Sequence, residues 1–161
     1  MTDSTSANLS QPMQVQIGLG VQYIKDFSFE NPNAPTIFSQ LQSQPQLAMD
    51  VDVMSRGLGD GTFEAVLKLK VESKLGDKTA FIAELAYAGL FGLPAQLPED
   101  QIKLFLMVEA PRLLFPFARA IVATAVREAG YPNIILQPID FMSLYVSQRG
   151  SVGAMTAAGA A

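Results

Sequence analysis

From residue 15 the chain alternates between apolar and polar side chains. Val15, Ile17, Leu19, Val21, Tyr23, Phe27 and Phe29 share one register, against Gln14, Gln16, Gln22, Asp26, Ser28 and Glu30. A strand with one buried and one wet face has this period of two. Gly18 and Gly20 fall on the wet side, where they weaken the strand or admit another backbone closely. The run stops at residues 31–35, NPNAP, because proline lacks an N–H and restricts the residue before it. A short helical turn is expected over 36–41, then a polar segment. The alternation returns with Leu47, Met49, Val51 and Val53 against Asp50 and Asp52, and RGLGDG at 56–61 predicts a turn. A third run sets Phe63, Ala65, Leu67, Leu69 and Val71 against Glu64, Lys68, Lys70 and Glu72. LGDK at 75–78 predicts a two-residue hairpin. In the fourth run Phe81, Ala83, Leu85 and Tyr87 face one way, and Ile82 and Glu84 the other.

Beyond Leu97 the period becomes helical. Pro98, Glu99 and Asp100 suit a helix start, with proline in the first turn and acids near the positive end of the dipole. Pro111 and Pro116 are expected to break or kink the helix into two parts. The second carries Leu114, Phe117, Ile121 and Ala125 on one stripe and ends at Gly130, before Pro132. An extended segment NIILQPI follows, and Asp140 is placed to cap a last helix over 141–148. Residues 1–12 and 150–161 carry no core pattern and read as disordered tails around one domain, 13–149. Strands followed by helices predict an α+β fold: a four-stranded antiparallel sheet with the helices packed on one side.

Composition narrows the function. Of 161 residues, 49% are hydrophobic and 16% charged, and mean hydropathy is +0.24, rich for a soluble monomer. The most apolar helical stretch, 104–126, is interrupted by Glu109, Pro111, Arg112, Pro116 and Arg119, so it offers no span of about 20 uncharged residues. Subunit contact or a purposeful apolar surface accounts better for the excess. A net charge of −4 without a basic cluster argues against nucleic acid. Cysteine and histidine are both absent, which removes thiolate chemistry, the usual acid–base group near neutrality and the commonest metal ligands. No cofactor or metal is expected. The N-terminus lacks a basic segment followed by an apolar core, so cytoplasmic residence is expected without membrane insertion. Asp26 with Glu30, or Asp50 with Asp52, are the candidates for carboxylate catalysis. Both pairs lie at period two on an open sheet face, which offers no dry pocket to raise one pKa. A solvated surface, a contact for a basic partner, and a carrier that seats a small apolar ligand between sheet and helix remain as readings.

Three stretches, in order, carry a resemblance. KDFSFENPNAP at 25–35, TAFIAELAYAGLFGL at 79–93 and PRLLFPFARAIVATAVREAGYPNIILQPIDFMSLY at 111–145 resemble the first strand, the fourth strand, and the second helix with its sequel in the SecB family of protein-export chaperones. The resemblance spans roughly residues 13–149. It implies a homotetramer built as a dimer of dimers, ATP-independent binding of unfolded preproteins, and their delivery to the SecA motor. It implies SecA binding by Asp26, Glu30, Ile82 and Glu84, a flat acidic face with an apolar member that suits a basic, partly apolar segment. It also implies a client groove between the loop after the first strand and the kinked helix. The candidates there are Phe38, Leu41, Leu47, Met49, Ile102 and Phe105, each of a type that equally fills a core. Loop 36–46 has no tryptophan, a departure from the family's pattern. Arg112, Arg119 and Arg127 fall near one side of the helix and face either solvent or a neighbouring subunit. A SecB-like chaperone dedicated to one partner, such as an antitoxin, is the alternative within the fold.

Overall fold

The computed structural model defines residues 16–42 and 45–158, with side chains up to Arg149. The elements run β1 (Gly18–Glu30), a 3-10 turn (Thr36–Gln40), β2 (Gln46–Gly59), β3 (Thr62–Leu75), β4 (Lys78–Gly92), α1 (Glu99–Leu104), a π turn (Phe105–Glu109), α2 (Ala110–Glu128) and α3 (Phe141–Ala158). The four antiparallel strands lie in the order β1-β4-β3-β2, leaving β1 and β2 at the edges. The α+β fold with helices on one side is as expected. The N-terminal tail expected over 1–12 lies outside the described residues. α3 runs on to Ala158, past the end expected at Gln148.

Strand faces follow the alternation in β2, β3 and β4. Leu67, Leu69, Val71, Phe81, Ala83, Leu85 and Phe91 are buried beneath the helices. Gly76 takes φ +61 between Leu75 and Lys78, as the first central position of a type II′ hairpin requires. The turn expected over 56–61 is shorter: β2 stays paired with β3 through Gly59.

β1 departs from its simple pattern. Its register with β4 slips between Leu19 and Gln22 and again between Ile24 and Asp26. Each extra residue reverses the alternation behind it. Tyr23, expected beside Phe27 and Phe29, therefore stands on the outer face and reaches Glu64. Gln22, expected on the wet face, pairs with Gly89 on the helix side and leaves its Oε1 buried without a hydrogen-bond partner.

The helix joint also differs. It lies at the π turn, ahead of Pro111, where the Ala110 N–H donates to the Phe105 carbonyl five residues back. Pro111 brings no N–H and its ring crowds the carbonyl four residues behind, so the wider turn relieves both problems. At Pro116 the helix continues without a break. Of the expected stripe, Leu114 is buried and Ile121 packs partly against the core, but Phe117 is half exposed, and the buried line runs instead through Pro111, Phe115, Ala118, Val122 and Val126. A Cβ on Gly89 would come within 2.9 Å of Leu114 Cδ2, so β4 receives α2 at close range. The small side chains of Ala110 and Ala118 permit that approach; Leu113 is left outward, and Phe117 stays half exposed with its ring stacked on that of Tyr87 (6.4 Å). Gly130, at φ +94, closes α2: its N–H donates to Arg127 O and that of Tyr131 to Val126 O, a Schellman end. Asp140 caps α3 by accepting from the Ser143 N–H (3.0 Å) and its hydroxyl (2.7 Å).

Candidate functional sites on the two sides of the sheet

Among the described residues no helix covers the outer face of the sheet. Cross-strand pairing sets Glu30 opposite Ile82, Ser28 opposite Glu84 and Asp26 opposite Ala86, so the four predicted acidic-face residues occupy one patch over β1 and β4. The alternation puts Asp26 and Glu30 together despite the bulge before Asp26, because the run 26–30 itself is regular. The patch continues across the sheet. Asp50 lies opposite Lys70, which lies opposite Glu84; Asp52 lies opposite Lys68, which lies opposite Ala86. These side chains line an open depression of about 350 Å³. Lys70 Nζ is 3.6 Å from Glu84 Oε1 and both groups are about half exposed, so the pair adds little to stability.

One carboxylate on this face behaves differently. Glu64 is 1% exposed, although its alternation predicts a solvated position. It accepts from the Tyr23 hydroxyl (2.6 Å), Lys25 Nζ (2.7 Å) and Arg56 Nε. The Lys25 hydrogen bond first, then Tyr23 and Arg56, outweigh burial and lower its pKa from an ordinary 4.5 to about 2. Only Arg56, opposite Glu64 in the β2–β3 pair, is near it in sequence; Tyr23 and Lys25 come from the far edge strand.

The second site is a cleft of about 520 Å³ at the end of the sheet where β4 begins. Leu41 and Leu47 line it with Phe81, Tyr131, Ile134 and Ile135. Its two lining rings, Phe81 and Tyr131, belong to a train: Phe29 on Phe81 (5.6 Å between centroids), Phe81 against Tyr131 (5.0 Å) and Tyr131 against Phe38 (5.3 Å). Thus Phe38 braces the cleft from behind. Met49 packs on the core one position inward from Leu47 on the same strand face. Ile102 and Phe105 are not brought to this cleft. Both pack against the core, and Phe105 meets Phe91 edge-on, at the opposite end of β4 from Phe81.

Sequence reasoning missed Tyr131, Ile134 and Ile135 as walls. The signal was the adjacent apolar pair in NIILQPI, since in an extended segment neighbouring side chains point to opposite sides. Ile135 is the outward member, 79% exposed. A polar knot holds this wall in place. The Tyr131 hydroxyl lies within hydrogen-bond reach of Asn31 Oδ1 and of the Ala80 carbonyl (2.8 Å), and Asn33 Nδ2 donates to Thr79 O (2.8 Å).

The three arginines are held locally. Arg112 pairs with Glu109 at 3.0 Å, Arg119 lies over the Phe115 ring, and Arg127 pairs with Glu128 at 3.4 Å. No helix among the described residues is long and apolar enough to cross a membrane.

Residues 10–151 match the family model described as SecB: Preprotein translocase subunit SecB. A protein-export protein SecB from Rhodospirillum centenum is 50% identical over 163 residues, covering 95% of this chain and 97% of its own length. That of Sphingopyxis alaskensis is 45% identical over 156 residues, covering 92% and 90%. Among solved structures, a SecB-like chaperone of Mycobacterium tuberculosis in complex with an antitoxin peptide covers 76% of this chain and 87% of its own, with a TM-score of 0.63. Its 12% identity makes that a likeness of fold.

Proposed function

The chain belongs to the SecB family of protein-export chaperones, and we propose that it holds unfolded preproteins in the cytoplasm without ATP and delivers them to the SecA motor. The observation that carries this reading is the separation of two surfaces by one sheet. The aromatic-lined cleft, with Leu41, Leu47, Tyr131 and Ile135 around it, suits extended apolar segments of many sequences, because rings and flexible aliphatic walls make no fixed hydrogen-bond demands. The outer face, with Asp26, Glu30 and Glu84 around Ile82, suits a basic segment with an apolar anchor. A client and the motor therefore bind without competing for the same side chains.

The holding form is a homotetramer, a dimer of dimers. Leu19, Val21 and Ile24 are exposed on the edge strand β1, Ile17 just before it, and Leu113 and Phe117 on α2. Exposed apolar side chains gathered on an unpaired edge and a helix flank are what subunit contacts cover.

The test uses purified protein with a slowly refolding, non-native client and, separately, with SecA. Wild type is expected to suppress client aggregation and to bind SecA in calorimetry. Glu84→Lys is expected to weaken SecA binding roughly tenfold or more, as charge reversal in a complementary patch does, and to leave client holding intact. Failure of wild type to suppress aggregation overturns the chaperone role; equal loss of both activities in Glu84→Lys overturns the assignment of separate surfaces.

A further inference from the structure

The acidic face contains two cations of its own, in register with the carboxylates. Lys70 stands on β3 directly between Glu84 on β4 and Asp50 on β2, and Lys68 stands between Ala86 and Asp52. In the free protein the Lys70 ammonium sits on the Glu84 side, 3.6 Å from its carboxylate. A basic segment that docks at Glu84 meets this ammonium first, and two like charges at that spacing repel. Asp50 lies opposite Lys70 on the other neighbour, at the distance of a directly opposed cross-strand pair. The flexible four-carbon stem of lysine carries its charge from one side to the other by rotamer changes alone.

We propose that Lys70 is a displaceable internal cation of the docking face: it occupies Glu84 in the free protein and moves to Asp50 when a basic partner segment takes its place. Asp50 thereby acts through Lys70, as a positioning residue, without touching the partner. The arrangement sets selectivity. A segment with one loosely placed cation does not displace Lys70, whereas closely spaced cations do, and the displaced charge is received by a carboxylate and not stranded beside the newcomer. The inference rests on the docking role proposed above for this face.

A double-mutant cycle read by calorimetry at low ionic strength, with SecA as titrant, tests it. Lys70→Gln is expected to bind about two- to fivefold more tightly than wild type, the range of one exposed ion pair. Asp50→Asn is expected to bind about three- to fivefold more weakly, and to cost less than about twofold once Lys70 is Gln. An equal effect of Asp50→Asn in both backgrounds makes it a general field effect and overturns the exchange, as does a Lys70→Gln protein that binds no tighter. Glu84→Lys is the reference: if it weakens docking while the cycle is additive, only the exchange fails. If it docks like wild type, the docking role fails and the exchange with it. Client holding and circular dichroism, both expected unchanged in all variants, exclude misfolding as the cause.

Discussion

Glu64 shows how much one side chain's chemistry depends on distant partners. Its alternation belongs to the wet side of β3, and its carboxylate is nonetheless closed off by Tyr23, Lys25 and Arg56. The two cations keep solvent contact, with side chains 41% and 65% exposed, so their own hydration is largely retained while the carboxylate is sealed beneath them. Because the folded pKa is held near 2, below the ordinary 4.5, folding favours the ionised form. That contribution is complete above about pH 4.5 and is lost as the pH falls toward 2. Glu64→Gln is therefore expected to lower unfolding free energy at pH 7 by about 1–3 kcal/mol, the range for a lost charge-assisted hydrogen bond. The gap to wild type should close as the pH falls through the lower window. Urea denaturation at a series of pH values checks this, and a gap constant with pH would mean the effect is one of packing.

Between elements, one hydroxyl ties three segments together at the cleft, beside the Asn33–Thr79 hydrogen bond. Tyr131 links the loop after β1, the start of β4 and the end of α2, through Asn31, Ala80 and the Schellman turn at Gly130. The hydroxyl's one proton serves one of two acceptors at a time, and burial raises its pKa above the ordinary 10.0, keeping it protonated. Tyr131→Phe preserves the ring train and removes the tie. Unfolding free energy should fall by about 1–2 kcal/mol, since Ala80 O and Asn31 Oδ1 lose a donor. Hydrogen exchange should quicken at the Ile37 amide, which is bonded to Asn33 O at 2.9 Å within the released loop. Unchanged exchange there would mean the loop is held without the Tyr131 hydroxyl, by its apolar contacts and the Asn33–Thr79 hydrogen bond. The π turn belongs to the same scale: a proline at 111 is tolerated inside a long helix because the turn before it is wider.

At the scale of the whole molecule, the apolar surplus has an evident place. Leu113 and half of Phe117 on α2 stay exposed, as do Leu19, Val21 and Ile24 on the edge strand β1 and Ile17 just before it. Light scattering at micromolar concentration is expected to give a particle near four times 17.3 kDa. Leu113→Glu, on the outward flank of α2, should lower that mass with circular dichroism unchanged, because a carboxylate at a buried subunit contact is left unpaired. A wild-type monomer under those conditions would remove the tetramer from the proposed function.

By itself the sequence determined the strands of β2, β3 and β4, the hairpin at Gly76, the caps at Asp140 and Gly130, and the shared side of Asp26 with Glu30 on β1 and of Ile82 with Glu84 on β4, which only the pairing of β1 with β4 joins into one face. All of these rest on alternation or turn chemistry among residues a few positions apart. Partner roles for that face came from resemblance, since charge alone left it as solvated surface. Tertiary structure decided what local pattern leaves degenerate. The bulges in β1 turned Tyr23 and Gln22 to faces their parity did not predict. Two apolar stripes share Leu114 on α2, and packing on the sheet buried the one through Ala118, Val122 and Val126 while Phe117 stayed half exposed. The cleft gathered Leu41 and Leu47 with Tyr131 and Ile135, while Phe105 went to Phe91. In each case the deciding neighbour lies tens of residues away, and contacts of that range are settled only when the sheet and its helices pack as one body.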